Sequence, residues 1–377
     1  MRNKKKILIT IGTRPEAIKI APVYKEIKKS KRFILKLCIS GQHKEMMSQA
    51  LDSFDLKMDF IASSMKKNQS LNELSSKLFK DIDKVFSIFN PDLVLVHGDT
   101  TTTQISSMAA FLRGIKVGHI EAGLRSNDKN SPFPEEINRR ATSLVADYHF
   151  APTRQAKENL IKENISSKKI YVTGNTVIDS LKSTLIKIDS KKTKFKELDK
   201  NLLKLIRNNS GKKLVLITGH RRENFGISFK NICLAIKDLA EAYEEVTFIY
   251  PVHLNPNVRK PVMNILKNKK NILLMEPLDY ISFLTLMKNA SLVITDSGGL
   301  QEECPSLGVP LILMREKTER PEIFDYEGFA MTGPNRKKIF EASKKYLNST
   351  KKIKKKNPFG DGKASERILK VLLKEFS

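Results

Sequence analysis

Cysteine is scarce in this chain: the three present, Cys38, Cys233 and Cys304, lie far apart. They fit neither a disulfide framework nor a metal-ligand spacing. Long apolar runs are missing as well, none approaching the roughly 18 residues that span a bilayer. The opening Met1-Arg2-Asn3-Lys4-Lys5-Lys6, followed by Ile7-Leu8-Ile9, imitates a signal peptide. Gly12-Thr13-Arg14-Pro15-Glu16 ends that apolar stretch too early, and no small-residue cleavage site follows. A cytoplasmic location without membrane contact is therefore expected. No GxGxxG fingerprint occurs, which counts against a bound dinucleotide. Acidic side chains are in deficit, 41 against 68 Lys and Arg, giving a formal charge of +27. Such an excess invites a nucleic-acid reading, but no RNA- or DNA-binding motif accompanies it and aromatics are not interleaved with the lysines. Nucleic acid is not expected as a partner. The general positive field instead suits a small anionic substrate.

What is present is a regular alternation of apolar runs and amphipathic stretches. Candidate strands are Lys6–Ile11, Leu35–Ser40, Leu93–His97, Lys116–Ile120, His149–Ala151 and Ile170–Thr173, then Leu214–Thr218, Thr247–Tyr250, Ile272–Met275, Leu292–Thr295 and Pro310–Met314. Short apolar runs bounded by Gly or Pro and separated by helices predict parallel sheets covered on both faces. One interval, Asp179 to Lys213, is Lys- and Ser-rich with little strand character and suits a link into a second domain. The expectation is an α/β protein of two Rossmann-like doubly wound domains facing a cleft. The first would comprise residues 1–175 with a returning helix at 360–377, and the second residues 176–359. In such folds ligands lie beyond the carboxyl ends of the strands, so the residues there are the ones to inspect.

After the first strand, Arg14 and Lys19 stand near a Pro-led helix start where an anion is welcome. A weak surface ion pair with Glu16 is the plain alternative. Asp99 follows another strand in His97-Gly98-Asp99-Thr100-Thr101-Thr102, where it could equally cap a helix. Glu121 follows the next strand, with Arg125 just beyond it available, like Arg14, to hold an anion, and Glu135 opens a further helix, where an acidic first turn is ordinary. Their joint placement at the ligand-facing end of one sheet suggests general acid/base work on a sugar-like substrate. Metal binding, with His97 and His119 nearby, competes, although no recognised ligand spacing appears. In the second half His220 lies in Gly219-His220-Arg221-Arg222-Glu223-Asn224 directly after a strand. Ser297, Gly298 and Gly299 then form a small-residue turn into a helix, suited to a diphosphate, with Glu303 about one turn on to receive a ribose diol.

These motifs, in order from Gly12 to about Ala364, resemble the non-hydrolysing UDP-N-acetylglucosamine 2-epimerases. Gly12-Thr13-Arg14-Pro15-Glu16-Ala17-Ile18-Lys19, His119-Ile120-Glu121-Ala122-Gly123-Leu124-Arg125, Asp296-Ser297-Gly298-Gly299-Leu300-Gln301-Glu302-Glu303, Thr318-Glu319-Arg320-Pro321-Glu322 and Asn357-Pro358-Phe359-Gly360-Asp361-Gly362 carry the likeness. The resemblance implies a glycosyltransferase-B-like pair of domains, a homodimer, and reversible conversion of UDP-GlcNAc to UDP-ManNAc for surface polysaccharide synthesis. It implies no cofactor and no metal. Carried over by motif, Asp99, Glu121, Glu135 and His220 form the catalytic set and Arg14 and Lys19 support the anion. Ser297, Gly298, Gly299, Glu303 and Arg320 hold the UDP, with Phe283 near the uracil. Gln42 and His43 match the site at which relatives bind a second, activating UDP-GlcNAc, but Asn68 stands where some carry arginine. The glycine that usually follows Pro321-Glu322 is absent, which leaves the shape of that loop open.

The C2 hydrogen of such a sugar is not acidic. Inversion therefore needs hydride removal, which wants NAD, or departure of the anomeric UDP with loss of the C2 proton. The second route calls for separate acid/base groups on opposite faces and for cations and N–H donors at the diphosphate. A modified UDP-HexNAc as substrate, a hydrolase releasing free ManNAc, and a glycosyltransferase on the same fold are the competing expectations.

Overall fold

The computed structural model describes residues 4–40, 51–62, 69–189, 206 and 211–376. It divides into two compact units, Met1–Lys182 with Phe359–Ser377, and Ser183–Pro358. The helix Thr176–Asp189 carries the chain from the first unit into the second.

The first unit is built on seven parallel strands: β1 (Lys6–Ile11), β2 (Ile34–Ser40), β3 (Phe60–Ala62), β4 (Leu93–His97), β5 (Lys116–Ile120), β6 (Tyr148–Ala151) and β7 (Ile170–Val172). Their order is β3-β2-β1-β4-β5-β6-β7. Strands such as Leu93–His97 are buried at every residue, as a sheet covered on both faces requires. Leu8, Val94 and Val96 pack on one face against Ile82, Phe86 and Phe89 of the helix Leu71–Phe89. The helix Arg14–Ser30 is started by Thr13 with a reciprocal capping box to Glu16, carries Pro15 in its first turn, and stops at Lys31 in the left-handed region. The final helix, Ala364–Phe376, packs against it. The buried carboxylate of Asp179 fixes that final helix, accepting from Ala364 N (3.2 Å), Ser365 N (2.8 Å) and the Ser365 hydroxyl (2.6 Å).

The second unit holds β8 (Leu214–Thr218), β9 (Thr247–Pro251), β10 (Ile272–Met275), β11 (Leu292–Thr295), β12 (Leu311–Leu313) and β13 (Phe329–Met331), all parallel, in the order β10-β9-β8-β11-β12-β13. Phe229, Ile232 and Ile236 of the helix Ile227–Ala242 pack with Phe248, Tyr250 and Ile294 into its main core. In each sheet the strand order reverses once, between β1 and β4 in the first and between β8 and β11 in the second. Connections leave such a switch point to opposite sides, opening a crevice at the strand ends. The loops after β1, β4, β8 and β11 flank these crevices, and they carry Gly12, Asp99, His220 and Ser297.

Two strands are not foreshadowed by the sequence. β3 and β13 are three residues each and sit at sheet edges, paired with β2 and β12. Runs so short carry no periodicity, and their extended form is imposed by the neighbouring strand.

Candidate active site

In the first unit the β1 loop is not the open charged turn its sequence suggests. Glu16 is 3% exposed, so its carboxylate lies inside the fold and not on the surface. Its Oε2 accepts from Gly12 N (3.0 Å), Thr13 N (2.7 Å) and the Thr13 hydroxyl (2.7 Å). Its Oε1 accepts from the hydroxyls of Thr100 (2.9 Å) and Thr103 (3.0 Å) in the loop after β4. One carboxylate thus ties together the two loops on either side of the switch point. Burial pushes its pKa up, opposed by the Thr13, Thr100, Gly12 and Thr103 bonds. Arg14, half-buried, begins the helix beside it.

Lys19, one turn further along, points its ammonium at Glu121 Oε1, and both side chains are buried. Glu121 has a positive φ of 64°, unusual for a residue with a Cβ, and lies directly after β5. Its Oε1 also accepts from Asn175 Nδ2 at 2.8 Å. Its Oε2 faces the Gly98–Asp99 turn, only 3.3 Å from the point a Cβ on Gly98 would occupy. Asp99 is bonded twice by the helix Glu135–Val145: Arg139 reaches its carboxylate, and Asn138 Nδ2 donates to its carbonyl (3.0 Å). Glu135 opens that helix. The neighbouring Glu136 is structural, its buried carboxylate accepting from Ser126 N (2.9 Å), Asn127 N (3.2 Å) and Arg140 Nε (3.1 Å).

The two histidines here are neutral. Burial pulls the His97 pKa down to about 4 and that of His119 to about 3. His119 Nε2 donates to Gly98 O at 2.7 Å, so it supports the turn that carries Asp99. Among the described residues no cluster of three or more His, Cys, Asp or Glu could hold a metal ion. Arg125, expected to hold an anion, is otherwise employed. It is 5% exposed, forks onto Glu163 (2.8 and 2.6 Å), and donates to Leu124 O and Ser143 Oγ. A guanidinium clamped bidentately inside its own unit is a structural brace. Gln42 and His43 lie outside the described residues.

In the second unit Asp296, fully buried at the end of β11, organises the loop after β8. Its carboxylate accepts from His220 N (3.0 Å), Arg221 N (2.9 Å) and Asn224 Nδ2 (3.2 Å). The His220 ring is left exposed and stacked on His253, with centroids 5.4 Å apart. Glu223 of the same loop is spent on Arg315 (2.7 Å). Ser297 is the N-cap of the helix Gly298–Leu307 and makes no side-chain cap bond. Gly298 touches the Arg320 guanidinium so closely that a Cβ would stand 2.8 Å from Nη1. Arg320, 6% exposed, is held by Glu302 (2.6 Å) and by Glu319. Glu303 accepts the Tyr280 hydroxyl at 2.8 Å, and Phe283 lies half-buried on the helix Tyr280–Asn289 that carries Tyr280. Burial, with Glu303 alongside, pushes the Tyr280 pKa far up, so its hydroxyl stays a donor. Pro321–Asp325 forms a short 3₁₀ turn.

Asp99 and Glu121 are thus brought to one end of one sheet with Lys19. Ser297, Gly298 and Arg320 meet at one helix start in the other unit. A model of the family described as UDP-N-acetylglucosamine 2-epimerase matches residues 25–373. The chain belongs to the UDP-N-acetylglucosamine 2-epimerase family. The epimerase of Neisseria meningitidis serogroup A is 46% identical to it over 98% of this chain and 99% of that one. That of Escherichia coli O157:H7 is 44% identical over 97% and 98%. The crystal structure of UDP-GlcNAc 2-epimerase from Neisseria meningitidis bound to UDP-GlcNAc superposes with a TM-score of 0.92 at 45% identity, covering 98% of this chain and all of that one. The fold of this family member is accordingly glycosyltransferase-B-like, two Rossmann-like parallel sheets.

Arg139, Asn138, Asn175, Tyr280 and Asp296 are site-building residues that sequence reasoning passed over. Asp296 and Asn175 were detectable in principle, since each follows a strand end.

Proposed function

We propose that this protein interconverts UDP-GlcNAc and UDP-ManNAc by inverting C2, without a nicotinamide cofactor. The observation that carries the reading is Glu121, directly after β5, with Oε2 turned to the Gly98–Asp99 turn that follows β4 and Lys19 against its other oxygen. A pair of carboxylates on a rigid frame suits removal of a proton from one face of C2 and delivery to the other. In this scheme the C2–H bond gives up its proton to a carboxylate while the anomeric C1–O bond breaks and UDP departs with the electron pair. The products are 2-acetamidoglucal and UDP. Re-addition of UDP at C1 with protonation of C2 from the opposite face completes the inversion. Asp99, Glu121 and Glu135 of the first unit share the proton handling, with Lys19 held on Glu121 and Arg14 supplying positive charge at the helix start; in the second unit His220 donates to the diphosphate. The uncapped N–H groups after Ser297, together with Gly298, Gly299 and Arg320, hold the diphosphate of UDP. Glu303 meets the ribose and Phe283 the uracil. A homodimer and supply of ManNAc units to surface polysaccharide belong to the same proposal.

The test is incubation with UDP-GlcNAc in D2O followed by NMR. Appearance of UDP-ManNAc with deuterium at C2 is the expected outcome, and Asp99→Asn should release 2-acetamidoglucal and UDP. Inversion without uptake of solvent hydrogen would refute the elimination route, and free ManNAc would replace the epimerase reading with a hydrolase.

A further inference from the structure

Asn175 follows β7 and is 2% exposed. Each of its polar groups has a directional task. Side-chain Oδ1 accepts from Val177 N (3.0 Å), which caps the helix Thr176–Asp189. Its backbone N–H donates to Phe359 O (2.8 Å), where the chain re-enters the first unit. Nδ2 donates to Glu121 Oε1 (2.8 Å). The amide orientation is fixed by these bonds, because the flipped amide would set an oxygen against a carboxylate and an NH2 against an N–H.

Both the Lys19 ammonium and the Asn175 amide therefore converge on Oε1 of Glu121. Oε2 is the oxygen turned to the Gly98–Asp99 turn. We propose that Asn175 is a positioning residue for the reaction, holding Glu121 by Oε1 so that Oε2 is the oxygen that exchanges a proton with the sugar. This rests on the epimerase reading above. A lysine alone supplies charge through a flexible stem, whereas the short amide, itself locked at two points, supplies direction.

Two variants separate this role from helix capping. Asn175→Asp keeps the cap acceptor and the backbone bond to Phe359, but sets a carboxylate where Glu121 had a donor. Asn175→Ser keeps a capping hydroxyl and is too short to reach Glu121. In steady-state assays with UDP-GlcNAc, Asn175→Asp should lower kcat about 100-fold, leave KM within about 3-fold, and raise the acid limb of the pH–rate profile by about one unit. Asn175→Ser should lower kcat about 10-fold with the limb unmoved. A folded Asn175→Asp enzyme with the parent's kcat and pH profile overturns the proposal. Should that variant not fold, a parental kcat in Asn175→Ser overturns it equally. A parent enzyme that is itself inert in D2O removes the epimerase reading and this proposal together. An active parent with unaffected variants removes only the proposal.

Discussion

Replacing Glu16 by alanine tests the strut between the two loops of the first switch point. Five donors lose their acceptor: the N–H groups of Gly12 and Thr13 and the hydroxyls of Thr13, Thr100 and Thr103. The hydroxyls can re-aim. Thr103 has His97 O as an alternative acceptor at 2.6 Å, and Thr100 and Thr103 lie 3.1 Å apart. The two backbone N–H groups cannot, and each orphaned donor costs roughly 1–3 kcal/mol. The variant should therefore lose about 3 kcal/mol, which for a domain of this size is a melting-point drop on the order of 10 °C. Glu16→Gln is the control. Its carbonyl oxygen can serve the two N–H groups while its NH2 meets the lone pairs of Thr100 and Thr103. It also removes the burial penalty that raises the Glu16 pKa, so it should stay within about 1 kcal/mol of the parent. Differential scanning calorimetry reads both, and hydrogen exchange at Gly12 and Thr13 locates the loss. Alanine and glutamine variants that melt together would refute the strut.

Gly298→Ala should place its methyl 2.8 Å from Arg320 Nη1 and 3.2 Å from Glu319 Oε1. Arg320 is held by buried Glu302 and Glu319 and cannot swing clear, so about 1–3 kcal/mol of overpacking and weaker UDP binding by calorimetric titration are expected. An unchanged Kd for UDP would remove this glycine from the diphosphate site. Acid should destabilise the first unit through its buried histidines. His97 and His119 titrate at about 4 and about 3 in the fold, against 6.5 when free. Both forms are neutral above pH 6.5, whereas below it the unfolded chain takes up protons the folded one refuses. Stability is thus fully present above that value and falls as pH drops toward 4 and then 3, by up to roughly 1.4 kcal/mol per pH unit for each histidine. Urea midpoints between about pH 7 and about pH 4 should fall less steeply for His119→Gln; parallel curves would refute the assignment.

Sequence reasoning reached the sheets because strands covered on both faces must be continuously apolar, as Leu-Val-Leu-Val at 93–96 is. It singled out Asp99, Glu121, His220 and Ser297 because parallel sheets bind ligands beyond their strand ends. It did not reach how these groups are held. Arg125 reads as a free cation until Glu163, 38 positions later, is found in its fork. Glu16 reads as a helix-start charge until the threonines of another loop close over it. Arg139 and Asn175 act across 40 and 54 positions, through pairings set by strand order rather than local pattern. Side-chain identity announces a reactive group; only the tertiary frame says which groups are already taken.

The second unit interrupts the first in chain order, and this bears on how the protein comes into being. On the ribosome every strand of the first sheet emerges before the second unit begins, so that sheet can form early. The N–H group of Ala364, which Asp179 awaits, arrives 185 residues later. At ordinary translation rates that is a delay of about 10–40 s. Throughout it the carbonyl of Phe359 is also missing from beside Asn175. The nascent first unit therefore carries Asp99 and Glu121 on a sheet whose last fastenings have yet to be synthesised, and its site becomes complete only when the chain comes back.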